Sequence, residues 1–169
     1  MKLDNAKRLD VIIVNMLKYT ETQITFAEIP DEINLCFSIS NCAGLCRECH
    51  SPELREDIGK SLAANIITEI NKARGITCLV FLGEGRKDAN TTEEWRELII
   101  WVRELFPDLK FALYSGRSVV EKELWRIFDY IKVGPYIPEL GPLSNPNTNQ
   151  RLYITETKED ITYKFWKKY

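Results

Sequence analysis

The chain has 169 residues, which suits one domain around one sizeable core, and its 44% hydrophobic and 28% charged residues exclude a disordered chain. Its 23 basic and 25 acidic residues leave a net charge of −2, so there is no electrostatic case for tight binding to a nucleic-acid backbone. No apolar run reaches the length of a membrane span.

In chain order, residues 1–15 read as an added helix, with Met16 as an alternative start. Their apolar stretch Val11–Val14 is too short for a secretory signal and has Asp4 and Asp10 beside it, so a cytoplasmic location is expected. A strand near Gln23–Ala27 is expected at a sheet edge. From Ile33 to Ser40 the pattern alternates, with Ile33, Leu35, Phe37 and Ile39 on one side, as in a strand. A cysteine-bearing loop follows at once. Ser51 and Pro52 then suit the N-cap and first position of a helix. Leu54, Ile58, Leu62 and Ile66 form an apolar stripe along it, and Gly75 suits its stop.

Ile76–Leu82 is almost wholly apolar, which predicts a strand covered on both faces and ended by Gly83-Glu84-Gly85. Thr91 and Glu94 pair as a capping box for a helix carrying Trp95, Leu98, Ile99 and Val102, closed by Pro107. Lys110–Tyr114 predicts a third strand, ended by Ser115-Gly116-Arg117. Ser118 and Glu121 form another capping box before a short helix through Phe128, and Tyr130–Val133 predicts a fourth strand. Pro135, Pro138, Pro142 and Pro146 then populate a long loop of the kind that usually carries function. Leu152–Glu156 and Ile161–Phe165 read as a hairpin.

Strands alternating with helices imply right-handed βαβ units and a parallel sheet. In such a sheet the loops after successive strands gather on the rim at the strands' C-terminal ends, where ligands bind. The cysteine loop, Gly83-Glu84-Gly85 and Ser115-Gly116-Arg117 are therefore expected together on one rim.

Five cysteines without a signal peptide argue against a disulfide framework. Cys36 and Cys78 sit in apolar runs and read as small buried hydrophobes. Cys42, Cys46 and Cys49 lie within eight residues, a thiolate-rich spacing that suits zinc or an iron–sulfur cluster. A structural zinc site wants four closed ligands. The one histidine, His50, adjoins Cys49, which makes joint ligation of one small ion awkward. Three thiolates with no clear fourth favour a metal centre with an open position, as in a 4Fe–4S cube with one free iron.

With this loop placed between a strand and a helix, the chain resembles the radical S-adenosylmethionine superfamily. It is most similar to the activating proteins of anaerobic ribonucleoside-triphosphate reductase. The residues that carry the resemblance are the run from Cys42 to Glu53, Phe81-Leu82-Gly83-Glu84-Gly85, Tyr114-Ser115-Gly116, Val133-Gly134-Pro135-Tyr136 and Asn149-Gln150-Arg151. The resemblance implies a single domain over residues 1–169, with 1–15 as an extension. The implied fold is a parallel-sheet, incomplete TIM-like barrel of the radical S-adenosylmethionine type, followed by the C-terminal hairpin. It implies Cys42, Cys46 and Cys49 as cluster ligands, with S-adenosylmethionine chelated at the fourth iron. Contacts to that cofactor are then expected from Glu48, Cys49, His50, Gly83, Glu84, Gly85 and Ser115. Glu48 and His50 stand where many members carry an aromatic residue, and Glu84 holds an acidic role one position early.

The implied chemistry begins with reduction of the cluster by flavodoxin or a ferredoxin. Cleavage of the sulfonium then gives a 5′-deoxyadenosyl radical, which takes a hydrogen atom from a glycine of the reductase large subunit. Two other readings compete with it. One is a radical enzyme acting on a small molecule, which so short a chain would poorly enclose. The other is a non-catalytic metal-binding interaction module, including a structural zinc knuckle.

Overall fold

The computed structural model describes residues 17–166, so the expected helix over residues 1–15 lies outside the described residues. The strands are β1 Lys18–Thr25, β2 Asn34–Ile39, β3 Lys60–Ser61, β4 Cys78–Leu82, β5 Lys110–Tyr114, β6 Tyr130–Val133 and β7 Arg151–Ile154. They form one seven-stranded sheet in the order β3-β1-β2-β4-β5-β6-β7. Among the described residues the α-helices are α1 Leu62–Lys72, α2 Ala89–Leu105 and α3 Lys122–Ile127.

This sheet corrects the expected all-parallel partial barrel. Strands β2, β4, β5 and β6 are parallel, but β1, β3 and β7 are antiparallel to their neighbours, so the sheet is mixed and open. A parallel neighbour requires a crossover connection. Only the three links that contain α1, α2 and α3 supply one. Residues 26–33 and 134–150 return the chain without a helix, and the strands they join run antiparallel. The C-terminal hairpin is also corrected. β7 pairs with β6, and the segment expected as its second arm contains a 3-10 turn, Thr162–Phe165. That segment is held to β7 by the Tyr153–Asp160 bridge and by the Ile161 N–H donating to the Leu152 carbonyl at 2.8 Å. The early strand is longer than expected, and β3 flanks it on the outer side.

Strand periodicity divides the core into two faces. Leu35, Phe37, Ile39, Leu79, Phe81, Phe111, Leu113 and Ile131 face one way, against Leu62, Ile66, Trp95, Leu98 and Leu124 of the helices. Cys36, Cys78, Val80, Ala112, Tyr130 and Leu152 face the other way, covered by Ile29 and Ile161 from loops. Among the described residues all helical cover is thus on one face, and the opposite face is covered by loops. Cys36 and Cys78 are buried, as their apolar surroundings imply.

The helix expected from Ser51 is shorter and later. Pro52–Arg55 makes only a 3-10 turn, Ser51 makes no side-chain cap, and Ile58 is exposed. Gly59 breaks the path: its φ is +94°, and an added Cβ would lie 2.3 Å from the Tyr19 carbonyl. The helix starts after Ser61, whose Oγ accepts the Ala64 N–H, and Leu62, Ile66 and Ile70 point inward at four-residue spacing. Both capping boxes are also replaced. Asp88 caps α2 by accepting the Thr91 N–H at 2.8 Å, while Glu94 Oε1 accepts the Leu17 N–H. Glu121 precedes α3 without a side-chain cap, because its carboxylate is held by Arg117.

At the rim opposite the cysteine loop, Glu32 accepts from Lys110 Nζ at 2.5 Å, Tyr130 at 2.9 Å and Thr77 at 2.5 Å. Burial alone would raise its carboxyl, but these donors hold it below the usual carboxylate range. A depressed carboxyl stabilises the fold above its unfolded pKa, and that stabilisation disappears as pH falls through the folded value. Glu32→Gln is therefore expected to lower stability near neutrality by roughly 1–2 kcal/mol, with the gap to wild type closing in acid. Denaturant titrations at neutral and acidic pH check this; a gap of constant size would count against it. Among the described residues no helix is long and apolar enough to cross a membrane.

Candidate functional site

The site grows from the last rung of the parallel sheet. Leu82, Tyr114 and Lys132 lie in register at the C-terminal ends of β4, β5 and β6, on the face covered by loops among the described residues. They line a cavity of about 310 Å³, whose other wall contains Cys42, Cys46 and Cys49. The cysteine loop is folded over this rung by its backbone. The Asn41 N–H donates to the Glu56 carbonyl at 3.1 Å and the Cys42 N–H to the Leu54 carbonyl at 2.9 Å. The Ala43 N–H reaches the Gly85 carbonyl at 3.4 Å, which ties the loop to the turn after β4. Asn41 and Glu48 bend the loop in the left-handed region, at φ 57° and 55°. Arg55 donates to the Cys46 carbonyl at 2.9 Å.

The expected site residues divide into two groups. Cys42, Cys46, Cys49, His50, Gly83 and Ser115 line the cavity together. The His50 and Tyr136 rings stand 5.6 Å apart and both border it. Gly83 turns the chain at φ +109°, and an added Cβ would meet the Ile39 carbonyl at 3.2 Å. Ser115 is fully buried, and its Oγ accepts the Arg117 N–H at 3.0 Å. Glu48, Glu84 and Gly85 do not line the cavity. Glu48 is exposed on the loop's outer side. Glu84 is 5% exposed and turned away, with Arg117 donating to its two carboxylate oxygens at 2.6 and 2.8 Å. Its carbonyl accepts the Trp95 indole N–H at 3.0 Å. Gly85 carries the backbone contact to Ala43.

Three free, half-buried thiols on one wall are a donor set suited to soft metal centres. Bare backbone surrounds them. A Cβ on Gly44 would lie 3.2 Å from Cys42 Sγ and 3.8 Å from Cys46 Sγ, and one on Gly116 would lie 3.7 Å from Cys46 Sγ. Among the described residues no three His, Cys, Asp or Glu groups converge so as to hold a single metal ion. In an iron–sulfur cube each thiolate binds a different iron, so the sulfurs need to surround a volume rather than meet at a point. Three thiols beside a cavity and two glycines fit that requirement.

Sequence reasoning missed Lys132 in this region, and it named Arg117 on the rim and Tyr136 in the resemblance without giving either a role in the site. Lys132 is 7% exposed, and its Nζ donates to the Gly134 carbonyl at 2.9 Å and the Ser115 carbonyl at 3.4 Å. Burial pushes its ammonium down to about 8, partly opposed by Cys46, Glu28, Glu84 and Cys42. A lysine at an inward position of the otherwise apolar strand Tyr130–Val133 was the available signal. The pairing of Arg117 with Glu84 had no local signal, since the two are 33 residues apart.

Compared with known proteins, the chain matches no protein-family model, no curated protein and no solved structure.

Proposed function

We propose that this chain is an activating enzyme that holds a 4Fe–4S cluster on Cys42, Cys46 and Cys49 and binds S-adenosylmethionine beside it. Its product on this reading is a glycyl radical on an anaerobic ribonucleoside-triphosphate reductase, with flavodoxin or a ferredoxin as electron donor, in the cytoplasm. The observation that supports it is the gathering of three free thiols, Gly44, Gly83 and Gly116 around one cavity at the strand ends. The proposal rests on this site and on the sequence resemblance, not on a barrel.

When bound, the cluster and S-adenosylmethionine supply reductive cleavage of a sulfonium, which yields a radical able to remove a hydrogen atom. The chain's own residues have positional work. The thiolates hold the metal centre through three points. Gly83 holds the turn beside the ligand at φ +109°, its N–H donating to the Tyr114 carbonyl at 3.1 Å, a backbone path that a side chain would strain against the Ile39 carbonyl. The His50–Tyr136 pair offers an aromatic wall for a planar base. Leu82 and the Tyr114 ring exclude water from the sheet side. Glu84 acts indirectly, by holding Arg117 and with it the loop after β5.

The test is anaerobic reconstitution followed by assay of S-adenosylmethionine cleavage. Electron paramagnetic resonance is then recorded on mixtures with the reductase from the same genome. A glycyl doublet is expected only with this chain, S-adenosylmethionine and reductant together. Cleavage without a doublet would redirect the reading to a small-molecule substrate, and a colourless zinc protein would overturn it. Gly83→Ala is expected to retain iron while weakening S-adenosylmethionine binding about tenfold, which corresponds to roughly 1.4 kcal/mol. Equilibrium binding to the reconstituted protein checks this, and unchanged affinity would make the turn purely architectural.

A further inference from the structure

The floor of the cysteine cavity contains a buried cation that the proposed function does not use. Lys132 lies on β6 at the last rung of the sheet, in register with Tyr114. Two backbone carbonyls hold its Nζ, one from the loop after β5 and one from the loop after β6. The Tyr114 ring centroid is 5.6 Å away. An ammonium has three donors, and these contacts use two of them. No carboxylate among the described residues forms an ion pair with it. Burying such a charge costs several kcal/mol unless opposite charge compensates it. On the strand itself there is no compensation, since Tyr130, Ile131 and Val133 are uncharged. Besides the more distant effects of Glu28 and Glu84, the opposite charge available to this cavity is on its other wall, where Cys42, Cys46 and Cys49 become thiolates on metal binding.

We infer that Lys132 is a positioning residue for charge: its fixed ammonium offsets the negative charge of the thiolate-held cluster and raises that cluster's reduction potential. This rests on the reading that the three cysteines hold a cluster. A cube held by three thiolates is net negative, and reduction adds one electron without adding a proton. A fixed positive charge in a low-dielectric wall stabilises the reduced form more than the oxidised form. The carbonyls of Ser115 and Gly134 prevent the ammonium from swinging out to water, so its effect is not lost to screening. Glu28 and Glu84 also act on Lys132 and work against this effect on the cluster, but Arg117 neutralises Glu84. Arg55, held to the Cys46 carbonyl, adds a second cation on the loop side.

The experiment measures the midpoint potential of the reconstituted cluster by following its reduced-state paramagnetic signal in anaerobic redox titrations. Wild type is compared with Lys132→Met, Lys132→Gln and Lys132→Arg. The Met variant keeps length and apolar volume but removes the charge. The Gln variant can still donate to the two carbonyls, so it carries the test if the Met variant loses iron. The uncharged variants are expected to hold wild-type iron and to titrate at a lower potential. The expected shift is at least a tenfold change in the reduced-to-oxidised ratio at fixed potential, or about 59 mV for one electron. Lys132→Arg is expected to restore most of it. An unchanged potential in an uncharged variant with full iron would overturn the inference, as would an arginine variant as shifted as the uncharged ones. A wild-type protein that assembles no cluster would instead overturn the reading of the cysteines, which separates the two failures.

Discussion

Alanine at Cys42, Cys46 or Cys49 is expected to remove most bound iron after anaerobic reconstitution and to reduce S-adenosylmethionine cleavage to background, while alanine at Cys36 or Cys78 leaves both intact. The contrast follows from environment. The first three thiols are half-buried and border the cavity. Cys36 and Cys78 lie within the sheet at 3% and 0% exposure, facing the loop-covered side. Burial, with Glu28 adding to it, pushes the Cys36 thiol up to about 12, and burial pushes Cys78 higher still. Neither forms the thiolate a metal requires at neutral pH. Their replacement costs only packing, roughly 1 kcal/mol each. Iron assay and visible absorption read the first effect, and thermal melts read the second. Equal iron loss from Cys36→Ala and Cys46→Ala would remove the assignment of ligands.

Arg117→Ala is expected to be the most damaging single substitution outside the cysteines. Its guanidinium donates twice to Glu84, at 2.6 and 2.8 Å, and twice to Glu121, at 2.6 and 2.5 Å. The side chains of Arg117 and Glu84 are only 19% and 7% exposed. Removing the arginine leaves Glu84 charged and buried without a partner, a change that typically costs about 3–5 kcal/mol. For a chain of this size that is a fall in melting temperature of roughly 10 °C. The damage is local to the rim as well. Arg117 links the turn after β4 to the loop after β5, and its carbonyl accepts the Gly134 N–H at 2.7 Å. Loss of S-adenosylmethionine binding is therefore expected to accompany the loss of stability. Adding Glu84→Gln to Arg117→Ala is expected to recover part of the stability, because it removes the orphaned charge. A double variant no more stable than the single one would show that the arginine acts through packing instead.

The same network explains why Glu84 looks like a ligand contact in the sequence while the structure pairs its carboxylate with Arg117. An acidic residue in a glycine turn at a ligand-binding rim looks like a ligand contact, because nothing in its neighbourhood offers a partner. Its partner comes from the next strand's loop, and only the parallel pairing of β4 with β5 brings the two together. Lys132 was passed over for the converse reason. One lysine in a short strand carries no periodic signal, and its burial depends on the cysteine loop folding across it.

By itself, the sequence determined the strands Lys110–Tyr114 and Tyr130–Val133 to the residue, the burial of Cys36 and Cys78, and the spacing of the three exposed-loop cysteines. These properties are local: alternation, apolar runs and short spacings are written in adjacent residues. It also determined the alternation of β2, β4, β5 and β6 with helices, and hence which loops share a rim, but not β3, which falls within the expected first helix. Tertiary structure alone decided that the sheet is mixed and open. The direction of β1 and β7 depends on whether the chain returns directly or crosses over, and residues 26–33 and 134–150 contain no helical signal that settles it. Tertiary structure also decided where α1 begins, because Ser51 and Ser61 are both adequate caps. Gly59 decides between them, by meeting the Tyr19 carbonyl across the sheet edge. The pairing of Glu84 with Arg117 and the placing of Lys132 beneath the cysteines belong to the same class. Each depends on residues far apart in the chain, where no local pattern can specify which charge meets which.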